Sequence, residues 1–175
     1  MTMTNDQSLV TGIFPDRDSA ERAYTLATGR GYSHDDLNVV MSDETKKRHF
    51  ANSSVETDLG NKAAEGAGIG GALGGTLGAV AAAVAAIGTS IAIPGLGLII
   101  AGPLAAALAG AGAGAATGGL VGALVGWSIP EERVKEYDQA IKNGGILMGV
   151  RPRSVEDAAY LENSWRTSNG QHVYR

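Results

Sequence analysis

The sequence predicts an α+β protein, a ferredoxin-like two-layer sandwich split by one long glycine-zipper helical hairpin. Three observations carry that reading. All 32 charged residues lie outside residues 66–129, a block of 64 without Asp, Glu, Lys or Arg. Glycines inside the block recur every fourth position. The charged flanks alternate between strand and helix periodicity.

The first flank, residues 8–41, reads as a βαβ unit. Residues 9–14 (LVTGIF) suit a strand, which Pro15-Asp16 breaks. Asp16 or Asp18 caps the following helix by accepting from its orphan N–H groups. Ala20, Ala23, Tyr24 and Ala27 share one helical face, and Gly29 and Gly31 end it. Residues 37–41 (LNVVM) form the second strand, expected parallel to the first.

Residues 42–60 are polar and read as a linker that turns helical toward its end. In the second flank, residues 129–175, the order is αβαβ. Residues 128–132 (SIPEE) open a helix, with Ser128 a candidate cap, a proline in the first turn and two acids set against the helix dipole. Val134, Tyr137 and Ile141 give its apolar stripe, and Asn143-Gly144 stops it. Residues 146–150 (ILMGV) are a strand. Residues 154–157 (SVED) resemble a capping box, opening a helix through Ala158, Leu161 and Trp165. Asn169-Gly170 ends that helix, and residues 172–174 suit a short last strand. The residues outside the charge-free block total 111, enough for one domain core.

The insertion, residues 61–128, carries 18 of the 26 glycines. Gly66, Gly70, Gly74 and Gly78 form one repeat; Gly110, Gly114, Gly118, Gly122 and Gly126 form another. Positions four apart share a helix face, so each repeat makes a groove without side chains that another backbone can approach closely. Nine such glycines weaken a helix in water by roughly 1 kcal/mol each relative to alanine. In lipid, unmade backbone hydrogen bonds cost more than that, which keeps a glycine-rich helix closed. Helices are expected at about 61–88 and 103–127, roughly 37–42 Å long at 1.5 Å per residue, so either is long enough to span a bilayer with tilt. Pro94, Gly95, Gly102 and Pro103 punctuate the hairpin turn between them. Lys46, Lys47, Arg48, Lys62, Arg133 and Lys135 near the block's ends favour both termini being cytoplasmic. Trp127 suits an interfacial anchor or a core position.

Composition excludes several function classes. Cysteine is absent, so there is no disulfide, thiolate metal site or thiol nucleophile. A net charge of −4 and a pI near 5.3 leave no basic stripe for nucleic acid. Residues 1–8 lack the basic and apolar regions of a secretory signal. The run Lys46-Lys47-Arg48 is a solvated turn or a contact for anionic lipid. Gly66, Gly68 and Gly71 match a dinucleotide fingerprint in form but lack the strand that must precede it. His34, His49 and His172 have no carboxylate at ligand spacing. The acidic pairs Asp35/Asp36 and Glu131/Glu132 sit where caps are wanted. Glu65, beside the zipper, is placed to hydrogen-bond at the interface or to pair with Lys62 at i−3. No catalytic, cofactor-binding or metal-binding residues are assigned, and no cofactor is expected.

Several runs carry a family resemblance. They are GNKAAEG at 60–66, AIPGLG at 92–97, GGLVGALVG at 118–126 and IPEER at 129–133, together with Gly12-Ile13-Phe14 and Gly31-Tyr32. The chain resembles the bacterial low-temperature-induced/general stress protein family, in which a YflT-like α/β domain carries a glycine-zipper hairpin. The resemblance covers nearly the whole chain and departs from the family at residues 42–54 and 164–170. It implies a stress-associated role and supplies no catalytic residues.

The expected function is therefore that of a non-enzymatic, stress-associated membrane protein. It self-assembles through glycine-zipper packing into a homo-oligomer, with itself and the lipid bilayer as partners, and stabilises or remodels membrane. The alternatives are a soluble cytoplasmic oligomer with the hairpin buried between subunits, a small pore, and a ligand-sensing module tethered by the hairpin.

Overall fold

A computed structural model describes residues 9–50, 91–93, 97–105, 121, 124 and 129–175. Among these, the chain is an α+β fold built on a six-stranded antiparallel sheet. The elements are β1 (Val10–Phe14), α1 (Arg17–Gly29), β2 (Leu37–Ser42), α2 (Asp43–Phe50), β3 (Ile91–Ile93), β4 (Leu98–Ala101), α3 (Glu131–Lys142), β5 (Ile146–Val150), α4 (Val155–Thr167) and β6 (Gln171–Tyr174).

The sheet order is β3-β4-β2-β5-β1-β6. β5 lies between β1 and β2 and runs antiparallel to both, so that Val150 stands opposite Val10 on one side and Leu37 on the other. The two strands of the expected βαβ unit therefore run in the same direction but are not neighbours. Their shared partner arrives more than a hundred residues later, and local periodicity carries no information about it.

Both faces of the sheet are buried, where two layers were expected. Val10, Phe14, Leu37, Val39, Met41, Ile99, Ile146, Met148 and Val150 point to the side of α1 and α4. Ile13, Val40, Leu98, Ile100 and Leu147 point to the other side and pack with Val134, Tyr137 and Ile141 of α3. The arrangement is three-layered. The physical reason is visible in β4 (LIIA) and β5 (ILMGV), which are apolar at nearly every position instead of alternating, as strands covered on both faces are.

The helices start largely where their capping residues are. Asp16 holds extended backbone and accepts from the Ser19 amide at 2.8 Å. Ser154 does the same for the Asp157 amide at 3.0 Å. α3 differs from expectation, since Pro130 and not Ser128 takes the cap position and no side chain closes it. Glu131 and Glu132 do fall in its first turn. The polar stretch after β2 is helical at its beginning: α2 is capped by Ser42, whose Oγ accepts from the Thr45 amide at 3.0 Å.

The last helix and strand are anchored by Trp165. Its ring is fully buried and meets Phe14 edge-on at 5.7 Å, and its Nε1 donates to the Ala23 carbonyl at 3.2 Å. Asn169, at φ +67, turns the chain into β6.

Candidate functional site

The feature that the sequence singles out is the charge-free insertion, and the structure describes where it is rooted. All nine zipper glycines (Gly66, Gly70, Gly74, Gly78, Gly110, Gly114, Gly118, Gly122 and Gly126) lie outside the described residues, as do Pro94, Gly95, Lys62, Glu65 and Trp127.

The middle of the block is part of the sheet. β3 and β4 form an antiparallel pair with Ile91 opposite Ile100 and Ile93 opposite Leu98. β4 then pairs with β2 across four positions, from Val39 opposite Ala101 to Ser42 opposite Leu98. The Asp43 amide donates to the Gly97 carbonyl at 2.6 Å, and Gly97 itself turns at φ +61. The segment expected as the remote tip of a hairpin is thus an edge of the α/β domain. Its side chains explain the placement: Leu98 and Ile100 join the core on the α3 face, and Ile99 and Ala101 join it on the other.

Gly102 follows β4 at φ +101, a conformation that side-chain-bearing residues rarely adopt. A Cβ there would stand 2.3 Å from the Leu37 carbonyl oxygen, so the chain leaves the sheet where only glycine fits. Residues 103–105 begin a helical turn, closed by the Ala105 amide donating to the Gly102 carbonyl at 2.9 Å. Asn38, buried in β2, completes the junction. Its Oδ1 accepts from the Leu104 amide at 2.7 Å, and its Nδ2 donates to the Gly149 carbonyl at 3.3 Å. Gly102 and Pro103, expected in a hairpin turn, therefore sit at a strand-to-helix exit.

The far end of the second arm returns to the same place. Leu124 and Ile129 are buried in one cluster with Leu104, Ala105 and α3, and the Ile129 amide closes onto the Leu124 carbonyl at 3.2 Å. A fully buried leucine contributes about 2 kcal/mol, so the arm is held by substantial apolar contacts at both ends. Val121, one turn before Leu124, is 41% exposed.

Beside this root, two of the three cations in the basic run of α2 pair with acids on their own helix. Lys47 pairs with Asp43 at 2.5 Å and Arg48 with Glu44 at 2.9 Å. The run lies on a helix and not in a turn.

Elsewhere, two polar groupings bring distant residues together. Arg30 and Tyr32 both bond the Asp157 carboxylate at 2.8 Å, while Arg153 reaches Asp36 at 2.9 Å and stacks its guanidinium on the Tyr32 ring. Bonds from Arg30 and Tyr32 hold the Asp157 carboxyl below its usual range. Burial pushes Asp36 up, but bonds from Ser33 and Arg153 outweigh it, and its carboxyl also lies low. These bonds clamp the loop after α1 to the segment around the start of α4, and Asp36, expected where a helix cap is wanted, stands directly before β2 and caps no helix.

The second grouping lines a cleft of about 360 Å³ between α3 and β6, where Glu136, Gln139, Asn143 and His172 meet. His172 Nδ1 lies 3.3 Å from Glu136 Oε2, and the Tyr174 hydroxyl donates to the same oxygen at 3.3 Å. His172 holds φ +47, and its carbonyl accepts from the Tyr137 hydroxyl at 3.3 Å. No local pattern marks this pairing, because its partners stand 36 positions apart on different elements. Among the described residues no group of three or more His, Cys, Asp or Glu side chains is placed to hold a metal ion. Also among the described residues, no helix is long and apolar enough to cross a membrane. Comparison with protein families, with curated proteins and with solved structures finds no match for this chain.

Proposed function

We propose that this chain is a non-enzymatic, self-assembling protein of the general stress type, whose α/β domain presents two glycine-rich arms that pack on the arms of other copies. The observation that carries the reading is the pairing of β4 with β2 in the middle of the charge-free block. It divides the insertion into two arms, residues 51–90 and 106–123, each bearing glycines at four-residue spacing. Such faces associate through close backbone approach, dispersion and weak Cα–H···O contacts. A block of 64 residues without charge needs cover, and copies of itself supply a surface of matching shape.

The domain that holds the arms has a recognisable connectivity. Strands β2, β5, β1 and β6 lie in that order, α1 joins β1 to β2, and α4 joins β5 to β6. We take this as a ferredoxin-like split βαβ core, to which the insertion adds β3 and β4 at one edge, while α3, the first helix of the second flank, covers the second face. The resemblance to stress proteins agrees with a structural rather than catalytic role, and the reading places the assembly on the cytoplasmic side.

Sedimentation of the full-length protein tests it. The wild type is expected to sediment as a homo-oligomer. Replacing Gly114, Gly118 and Gly122 together by Leu is expected to weaken association at least tenfold while the buried Trp165 keeps its native fluorescence. An oligomer of unchanged size in the triple variant overturns the proposal.

A further inference from the structure

We infer that the described residues at the ends of both glycine-rich arms, namely α2, β3, β4, Ala105, Leu124 and α3, all stand on one side of any membrane that the protein touches. The inference goes beyond self-assembly and stands on strand register and chain length.

Each arm has its two ends on the same body. The first departs from the end of α2 at Phe50 and arrives at Ile91, the start of β3. Through β4, β3 is registered to β2 in the centre of the chain's own sheet. The second departs from Ala105 and arrives at Leu124, and both residues are buried in the cluster that contains Val40, Val134 and Leu147. A segment whose ends share one side of a membrane crosses it an even number of times. The smallest even number above zero is two.

Two helical crossings need about 40 apolar residues, at about 20 each. The charge-free part of the first arm, residues 66–90, has 25, and the second arm has 18 between Ala105 and Leu124. Neither can go and return as helices. A single crossing is closed off as well, since it would put β3 and β4 across the bilayer from β2, whose ladder they complete from Val39 to Ser42. Strand crossings need only about 9–11 residues each, but an isolated pair exposes unsatisfied edge amides to lipid, at several kcal/mol per group. Zero crossings is the count that satisfies both the lengths and the register.

Two measurements on the full-length protein in bacterial cells test this, and the absence of native cysteine makes both clean. In the first, Ser42→Cys and Leu98→Cys are combined. Cα partners in an antiparallel ladder lie about 4.5–5.5 Å apart, within disulfide range, so mild oxidation is expected to crosslink most of the protein, including any in the membrane fraction. In the second, single thiols are introduced by Glu44→Cys, Leu96→Cys and Lys135→Cys and labelled with a membrane-impermeant maleimide, on spheroplasts and on inverted vesicles. All three are expected to label from the same side, within about twofold of one another. Labelling of the position-96 thiol only from the side opposite to the other two, or a membrane fraction that never forms the 42–98 crosslink, overturns the inference. Neither outcome depends on oligomer size, so failure of self-assembly and failure of one-sidedness are read separately.

Discussion

Asn38 of β2 accepts a hydrogen bond from the backbone amide of Leu104, 66 positions later, at 2.7 Å, and so caps the helical turn with which the second glycine-rich arm begins. Its amide nitrogen donates to the Gly149 carbonyl of β5. One buried side chain thus ties the exit of the insertion to two adjacent strands. Asn38→Ala leaves the Leu104 amide and the Gly149 carbonyl without that partner inside the core. Stranded buried polar groups cost about 1–3 kcal/mol each. The expected loss is about 2–4 kcal/mol in equilibrium urea unfolding; a loss below about 0.5 kcal/mol would show that the junction does not form.

Gly102 and Gly29 make a contrasting pair. At Gly102 both the positive φ and the 2.3 Å approach of the Leu37 carbonyl exclude a Cβ, and that obstacle is backbone. At Gly29, the last residue of α1, nothing stands within 4 Å and φ is not positive. Gly102→Ala is expected to cost at least about 3 kcal/mol, because left-handed strain and a backbone clash add. Gly29→Ala is expected to be neutral or to stabilise by up to about 1 kcal/mol. Thermal melts of the two variants side by side check the order.

Much of the α/β domain was legible in local pattern. Asp16 and Ser154 cap the helices they were assigned to, and the stripes Ala20–Ala23–Tyr24–Ala27 and Val134–Tyr137–Ile141 are buried as their spacing implied. What pattern did not deliver is neighbourhood. β1 and β2 read as a parallel pair because they follow one another, yet β5 separates them. The run IAIPGLGLII reads as a hairpin tip between two helices, yet it contains β3 and β4. It also held the signature of a β-hairpin, two short apolar runs separated by four residues containing Pro and Gly, and the zippers on either side drew the reading away from it. Long-range partners such as Asn38 with Leu104, or Glu136 with His172, leave no trace in one sequence, because neither residue's local context requires the other.

Tyr137 predicts an alkaline limit to stability. Its hydroxyl lies 2.6 Å from Thr11 Oγ1 in the core, and burial pushes its pKa from 10.0 up to about 12; Tyr24, also buried, rises to about 12 for the same reason. The fold disfavours the ionised phenolates, so their contribution is complete below pH 10 and is lost as pH rises from about 10 to 12. Each tyrosine accounts for on the order of 2 kcal/mol. Urea midpoints are expected to fall steeply between pH 9.5 and 11.5. Tyr137→Phe should flatten part of that fall while costing about 1–2 kcal/mol at neutral pH for the stranded Thr11 hydroxyl.

Asp157 predicts the opposite dependence on the acid side. Arg30 and Tyr32 bond its two oxygens and depress its pKa, and Ser33 and Arg153 depress that of Asp36 across the same clamp. A carboxylate whose folded pKa is lowered contributes stability above its unfolded pKa, near 3.9, and loses it as pH falls through the folded value. Stability is therefore expected to decline progressively below about pH 4. Asp157→Asn removes one of the two titrating groups and keeps an acceptor for Arg30 or Tyr32, so its acid-side decline should be shallower than that of the wild type. Denaturation curves collected from pH 2 to 6 decide it: parallel declines in the two proteins would mean that Asp157 contributes nothing to the acid-side loss.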